Sequence, residues 1–541
     1  LSRALIGRLL MRRGPWFRAG KLAYEEIPDP VDAAAPLLAL GWLNASEPMA
    51  LEELFALHTK TELLRLFADE PIDAGMRKAE MLDALHSVDP APRTYCQWHP
   101  QTAEPAWRVM IGELTERLRL MFFGNLHQDW SAFVLTDLGI FKYETVPFDA
   151  RSRAFQTRAD LDVYLTLHTC HQALDQGADI DDLLQRVARC ETANAWLERR
   201  RAKVLLRIGQ SCERARDWAR ADRAYAQSTH PDARHRRMRV HERAGRVADA
   251  MALALAARAA PLSDEESQRV ARMLPRLRRN LGLGPERPPV AHPVLGSDGQ
   301  PAARTAACLA HTRTDIALAA PSPPFRVEHA LRDHWHTDAA PVFYVENALI
   351  NSLFGLLCWP AIFQPLPGAF FHPFQSGPAD LGAPDFVQRR ARAFDQCLDQ
   401  LDDGTYRDVI LRRFTDKRDL LSPFVFWGIL TKRLLRLALD CIPAAHLNLF
   451  FRHLLRDVTA NRAGLPDLVR FWPAERRYEL VEVKGPGDRL QDNQIRWLRY
   501  CVEHDIPVRV CHVRWCEAPV VPEPAVAVSV AMSVAARGSA A

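Results

Sequence analysis

The chain has 541 residues, 48% of them hydrophobic and 25% charged, a balance that excludes both a disordered polyelectrolyte and a bundle of membrane spans. That length exceeds what a single core organises and predicts roughly three to five structural units. A formal net charge of +4 does not decide for or against nucleic acid, because a phosphate-binding protein needs its cations on one face rather than in surplus.

There is neither a long apolar run nor a signal-peptide pattern, so no membrane partner is expected. The expected location is cytosolic: with the nucleoid in a bacterium, nuclear in a eukaryote. The chain opens on Leu1 rather than Met, so nothing is read from its start. Its 11 cysteines are scattered without CxxC spacing, which predicts reduced, mostly buried thiols rather than a zinc site or a redox pair.

Residues 1–50 read as a helical DNA-binding region. Its segment Arg12-Arg13-Gly14-Pro15-Trp16-Phe17-Arg18 suits either packing on a neighbour or contact with a phosphate backbone. Over 51–95, Thr59 and Glu62 make a capping box ahead of Leu63, Leu64, Leu66 and Phe67. A second basic-apolar stretch then runs from Arg77 and Lys78 to Met81, Leu82 and Leu85. This two-helix unit with a turn at Gly75 resembles a SAP module, and 96–158 complete the N-terminal DNA-binding domain.

From 159 to 280 the pattern is helical, and Glu213-Arg214-Ala215 recurs as Glu242-Arg243-Ala244, an offset of 242 − 213 = 29. A TPR-like stack of helix pairs fits, and leaves open whether its concave face serves protein partners or a duplex. Two basic clusters lie here, Arg199 to Arg207 and Arg234 to Arg239, each equally suited to a solvated helix face or a DNA contact. A Gly/Pro-rich linker follows over 281–305, a catalytic domain over 306–516, and a poorly ordered tail over 517–541.

The chemistry is concentrated near the C-terminus. Gly464-Leu465-Pro466-Asp467-Leu468-Val469 and Tyr478-Glu479-Leu480-Val481-Glu482-Val483-Lys484-Gly485 read as two strands joined by a hairpin turn. Alternation puts Glu482 and Lys484 on one face of the second strand. Two carboxylates on adjacent strands supply hard oxygen ligands for a divalent metal, and a lysine beside them can orient the attacking water and stabilise developing charge. A helix from Gln494 through Trp497 and Leu498, then a strand over Val508–Val513, complete the order strand, strand, helix, strand of a PD-(D/E)XK nuclease. By itself either half of the motif also occurs as a solvated strand edge.

The run from Val481 to Leu490, with Leu465-Pro466-Asp467-Leu468 before it and Val510-Cys511-His512-Val513 after it, closely resembles the VRR-NUC domain of the Fanconi-associated nuclease family. Leu9 to Arg18, the SAP-like unit, Phe122-Phe123-Gly124-Asn125, the TPR-like region and Pro367 to Gln375 resemble that family in the same order. The fold implied is multidomain: mostly α-helical N-terminal and middle regions with a C-terminal α/β nuclease domain of the restriction-endonuclease type.

The resemblance also singles out Glu346 as a third acidic metal ligand, where the residues alone suggest only a helix-start glutamate favoured by the macrodipole. It implies a structure-specific, 5′-nucleotide-releasing DNA nuclease with 5′-flap endonuclease and 5′ to 3′ exonuclease activity. The implied reaction is of two-metal type, uses Mg²⁺ or Mn²⁺, and serves interstrand crosslink repair.

Glu346, Asp467, Glu482 and the Val483 carbonyl would then hold metal, with Lys484 positioning the water. Arg489, Gln494, Arg462, Arg12 and Arg13 are candidates for DNA or phosphate contact. The expected partner is branched or 5′-flapped duplex with a 5′ phosphate, gripped by a monomer. At Asn493 the chain departs from animal members, where a lysine is expected, which puts the phosphate pocket in doubt. His334 and His336 form an HxH spacing without acidic or thiol support and read as structural. Two rival readings are a four-way-junction resolvase, acting as a symmetric dimer, and a non-catalytic repair adaptor; an intact Asp467, Glu482 and Lys484 weigh against the adaptor.

Overall fold

A computed structural model describes residues 1–12, 14–86, 91–284, 312–319 and 326–516. Arg13, most of the expected linker and the expected tail lie outside the described residues. Contacts divide the chain into two compact units. One comprises Leu1–Arg246, Ile362–Phe386 and Asp419–Pro423; the other comprises Val247–Ala361, Val387–Arg418 and Phe424–Ala541.

In the first unit, strands β1 (Trp16–Arg18) and β2 (Leu43–Asn44) flank β3 (Ala106–Val109), each antiparallel to it. Strand alternation makes this small sheet a partition between two cores. Phe17 and Trp107 join Leu5, Leu9 and Leu37 on one side, while Trp16 and Ala106 join Met49, Leu54, Met81 and Trp98 on the other. The aromatic residues after Arg13 therefore serve packing. Arg18 is 11% exposed and is held by Glu62 at 3.0 Å and Glu104 at 2.7 Å. Thr59 and Glu62 form the expected box: the Thr59 N–H donates to Glu62 Oε2 at 2.8 Å and Thr59 Oγ1 accepts from the Glu62 N–H at 3.3 Å.

The 29-residue repeat is a recurring helix ending. Helices Ala195–Arg214 and Pro231–Arg243 close through left-handed residues, Arg216 at φ 60° and Gly245 at φ 78°. The Asp217 N–H donates to the Cys212 carbonyl, and the Arg246 N–H donates to the His241 carbonyl, each at 2.9 Å. The repeated Glu-Arg-Ala marks where each helix stops. Many basic residues between these ends are paired within the unit: Arg236, Arg239 and Arg243 surround the buried Glu213 at 3.0, 3.5 and 3.4 Å, and the Arg200 guanidinium lies 4.0 Å over the Tyr164 ring.

Residues Ile362–Phe386 fold with this unit rather than with the rest of the 306–516 stretch assigned to them from sequence. The cause is aromatic burial. Phe371 meets Trp196 edge-on at 5.6 Å, His372 meets Phe123 at 5.0 Å, and Phe374 meets Phe133 at 4.5 Å.

The second unit is built on a five-stranded sheet in the order β4 (Arg313–Ala319), β8 (Val508–Cys516), β7 (Arg477–Lys484), β6 (Leu468–Trp472), β5 (Val342–Tyr344). The β5–β6 and β6–β7 pairs are antiparallel, while β7–β8 and β8–β4 are parallel. On one face Val481, Val483, Cys511 and Val513 pack with Leu331 of helix Val327–Trp335. Helix Leu349–Leu357 is buried along its whole length, and its Phe354 meets Phe394, Phe424 and Phe451 at 6.0, 4.9 and 5.6 Å. The helices between β5 and β6 thus wrap an apolar helix that immediately follows β5. Among the described residues no single helix is long and apolar enough to cross a membrane, and the cysteines are free thiols, mostly buried.

Gly464 sets the approach to Asp467. Its φ is +95°, and a Cβ there would stand 2.6 Å from the Asn493 carbonyl carbon, a main-chain atom that cannot swing aside. Gly464→Ala should therefore destabilise the protein by about 2–5 kcal/mol, combining left-handed strain with overpacking. Chemical denaturation reads this directly; a loss under about 1 kcal/mol would show that the loop relaxes freely.

Candidate active site

Asp467 and Glu482 meet because β6 and β7 form a hairpin in which Leu468 pairs with Val481. The turn is closed by Arg476 in the left-handed conformation at φ 50°. Alternation along β7 then carries Glu482 and Lys484 to the same face. Asp467 sits just ahead of β6, with its carbonyl accepting the Val345 N–H at 2.8 Å, so the β5 end is tied to the site. Its side chain accepts the Val483 N–H at 2.8 Å. Asp467, Glu482 and Lys484 are 6%, 0% and 7% exposed.

Lys484 Nζ lies 2.8 Å from Glu482 Oε1, yet neither Glu482 oxygen has a directed hydrogen bond within the protein. Burial pushes the Glu482 carboxyl up to about 8, helped by Asp467 and opposed by Lys484. Burial likewise pushes Asp467 up to about 6, helped by Glu328 and Glu346 and opposed by the Val483 N–H and Lys484. One ammonium does not balance these crowded carboxylates. A buried anion with vacant lone pairs beside a second one is what a hard divalent cation relieves. Oxygen donors of this kind fit Mg²⁺ or Mn²⁺ and suit neither a soft metal nor an organic cofactor.

Glu346 is found in the turn between β5 and helix Leu349–Leu357, exposed, with the Tyr344 hydroxyl donating to its carboxylate. It precedes the helix rather than opening it. Among the described residues no three acidic, histidine or cysteine side chains already converge as a metal cage; Glu346 stands at the rim while Asp467 and Glu482 lie inside.

The structure also brings in residues that sequence reasoning passed over. Glu328, in the first turn of helix Val327–Trp335, is close enough to act on Asp467 electrostatically. Asn347, left-handed at φ 53°, accepts the Leu465 N–H on its side chain at 3.0 Å, and Asn351 donates to the Arg462 carbonyl at 2.9 Å. These two asparagines hold the loop leading into Asp467. Glu328 looks like any helix-start acid; only Asn347 ahead of the buried helix Leu349–Leu357, and Asn351 within it, give a faint sign.

The candidate DNA contacts separate. Arg489 is exposed on the loop after β7, whose Gly485 N–H donates to Asp488 at 2.9 Å. Gln494 caps helix Asp492–Glu503, its Oε1 accepting the Gln491 N–H at 2.9 Å, so its carbonyl end is already engaged. Arg462 lies with its guanidinium 5.0 Å over the Phe424 ring, and burial lowers its pKa. Packing accounts for Arg462, and the phosphate contact expected for it is not what this placement offers. Arg12 lies over Tyr24 at 5.5 Å on the wall of an open groove with Trp16, Lys21 and Glu53. His336 receives the Val342 N–H at 3.1 Å on Nδ1, while His334 is exposed.

A helix-flanked mixed sheet bearing Asp467 and Glu482-x-Lys484 defines a nuclease of the PD-(D/E)XK type. The VRR-NUC domain family matches residues 401–515, the Fanconi anemia-associated nuclease SAP domain matches 48–98, and the FAN1 HTH domain matches 1–44. The Fanconi-associated nuclease 1 homologue of Pseudomonas aeruginosa is 52% identical over 514 residues, 95% of this chain and 89% of that protein. The Arabidopsis thaliana homologue is 26% identical across 95% of this chain and 62% of its own length. The human Fanconi-associated nuclease 1 is 33% identical over 175 residues, 31% of this chain and 17% of its own. A crystal structure of paFAN1 bound to 2-nucleotide 5′-flap DNA with a gap superposes with a TM-score of 0.86 at 52% identity, covering 96% of this chain and 92% of that one. The chain belongs to the Fanconi-associated nuclease family and is a DNA nuclease of a divalent-metal-dependent kind.

Proposed function

We propose that this nuclease cuts 5′-flapped duplex DNA and proceeds 5′ to 3′, using Mg²⁺ or Mn²⁺, in the repair of interstrand crosslinks. The observation that carries the site is the buried Glu482 carboxylate beside Asp467, with the Lys484 ammonium 2.8 Å away to balance the two. Support for the substrate comes from the solved relative with 5′-flap DNA bound. Glu346, Asp467, Glu482 and the Val483 carbonyl would hold the metal. When bound there it supplies Lewis acidity toward the phosphate and a water acidic enough to attack at neutral pH, in a two-metal arrangement where both positions fill.

The protein's own part is positional. Asp467 is locked by the Val483 N–H, Lys484 is aimed along β7, and its ammonium can hold the attacking water or a non-bridging phosphate oxygen as charge develops. Arg489 on the adjoining loop and Arg12 with Arg13 near the N-terminus are the proposed backbone contacts, with Gln494 confined to its amide end. A monomer gripping one bent duplex, with the helical region free for protein partners, completes the proposal. Mn²⁺-dependent cleavage of a labelled 5′-flap duplex should exceed that of a 3′ flap and a four-way junction, and should vanish in Asp467→Ala. Preferred junction cutting would replace this reading by the resolvase.

A further inference from the structure

His512 lies in a motif that the proposed chemistry does not use, and sheet register shows what surrounds it. Across the parallel pairs, Lys484 of β7 stands beside His512 of β8, which stands beside Asp315 of β4. In-register neighbours share a face. With a period of two, Arg514 of β8 and Arg313 of β4 point to that face as well. From the catalytic lysine the face thus continues sideways into His512, Arg514 and Arg313, with Asp315 the acid beside the two arginines and Glu482 the acid beside Lys484.

Asp315 is shared: it lies 3.0 Å from Arg313 and 3.3 Å from Arg514. One carboxylate orients two guanidiniums and cancels only one of their charges. Arg313 and Arg514 remain 51% and 72% exposed. Burial lowers the His512 pKa first, with Arg313, Lys484 and Arg514 adding to it and Asp315 opposing, a sign of how closely cations crowd here. An oriented, exposed cationic strip continuous with a phosphodiester-cleaving lysine matches a chain of phosphates. Guanidinium forks pair with phosphate oxygens in two-point fashion. Arg514 lies one strand spacing and two residues from Lys484, about 8 Å, and Arg313 two spacings and two residues, about 12 Å, which sets them one or two phosphates from a bond cut beside Lys484.

We infer that Arg313, His512 and Arg514 form a track for the phosphodiester backbone of the strand being cut. This rests on the reading of Asp467, Glu482 and Lys484 as the cutting centre. The test uses the full chain with Mn²⁺, a labelled 5′-flap duplex, the double variant Arg313→Ala/Arg514→Ala and its lysine counterpart. Because the partners are exposed, losing these ion pairs costs the fold little.

The alanine pair should raise KM about 10-fold with kcat nearly unchanged, and lower the salt slope of binding by about 2; the lysine pair should restore most of both. Neutral methylphosphonate linkages are then stepped along the cut strand. One or two positions near the scissile bond should slow the wild type, and that penalty should disappear in the alanine pair. Unchanged KM, salt slope and methylphosphonate profile would overturn the track. Asp467→Ala, run alongside, keeps the two readings apart: cutting that survives it overturns the catalytic centre, whereas cutting lost in it with an unaffected alanine pair overturns the track alone.

Discussion

Lys484→Met is expected to lower single-turnover cleavage of a bound 5′-flap duplex by about 10²–10³-fold, the usual effect of removing one preorganised donor from a developing anion. Duplex affinity measured in Ca²⁺ should hardly change, because a residue 7% exposed adds little to a grip spread over many phosphates. The substitution keeps the length and volume of the side chain, so the β7 packing survives. It also strips Glu482 of the cation at 2.8 Å, and breaking such a buried pair from one side costs about 3–5 kcal/mol when the carboxylate stays charged. The raised Glu482 carboxyl softens that cost by taking up a proton instead. A rate within threefold of wild type would mean that Lys484 touches neither the attacking water nor the phosphate.

The active-site pair was legible in sequence because strand alternation is local: Glu482 and Lys484 are two residues apart, and only a short turn separates their strand from Asp467. Glu346 was not legible from spacing. It is brought to the end of β6 that carries Asp467 because β5 pairs with β6, Val342 opposite Arg470, across more than a hundred intervening residues, and no periodicity records such a long-range pairing. Only resemblance to a family pointed to it.

Arg462 failed for a related reason. A basic residue just before a catalytic strand looks like a phosphate contact until Phe424, distant in sequence, is found beneath its guanidinium. Residues Ile362–Phe386 went to the other unit because their aromatic partners lie more than 150 residues upstream. In each case the deciding partner was far along the chain. The recurring Glu-Arg-Ala was visible in sequence because what it marks, a helix ending ahead of a left-handed residue, lies within a few positions.

Glu482→Gln should abolish cleavage and at the same time make the metal-free protein more stable. Burial raises Glu482 to about 8 and Asp467 to about 6, both above the roughly 4 of a carboxyl in an unfolded chain. Groups raised in this way contribute stability that is complete below pH of about 4 and is lost as pH rises through the folded values. In EDTA the wild type should therefore weaken between about pH 4 and pH 8 more than Glu482→Gln, whose amide never ionises. The variant also leaves Asp467 and Lys484 as a one-to-one pair in place of two carboxylates on one ammonium. At pH 9 in EDTA it should melt at least about 4 °C above the wild type, since about 1 kcal/mol moves the midpoint of a domain this size by 2–4 °C. Saturating Mn²⁺ should invert that order. A ligand at a hundred times its Kd stabilises a protein by about 2.7 kcal/mol, and only the wild type retains both buried carboxylates. Two melting curves that do not cross between EDTA and Mn²⁺ would show that Glu482 is buried for packing and holds no metal. A crossing would tie the instability of the empty site to its use, because the same uncompensated charge that weakens the metal-free fold is what draws the cation in.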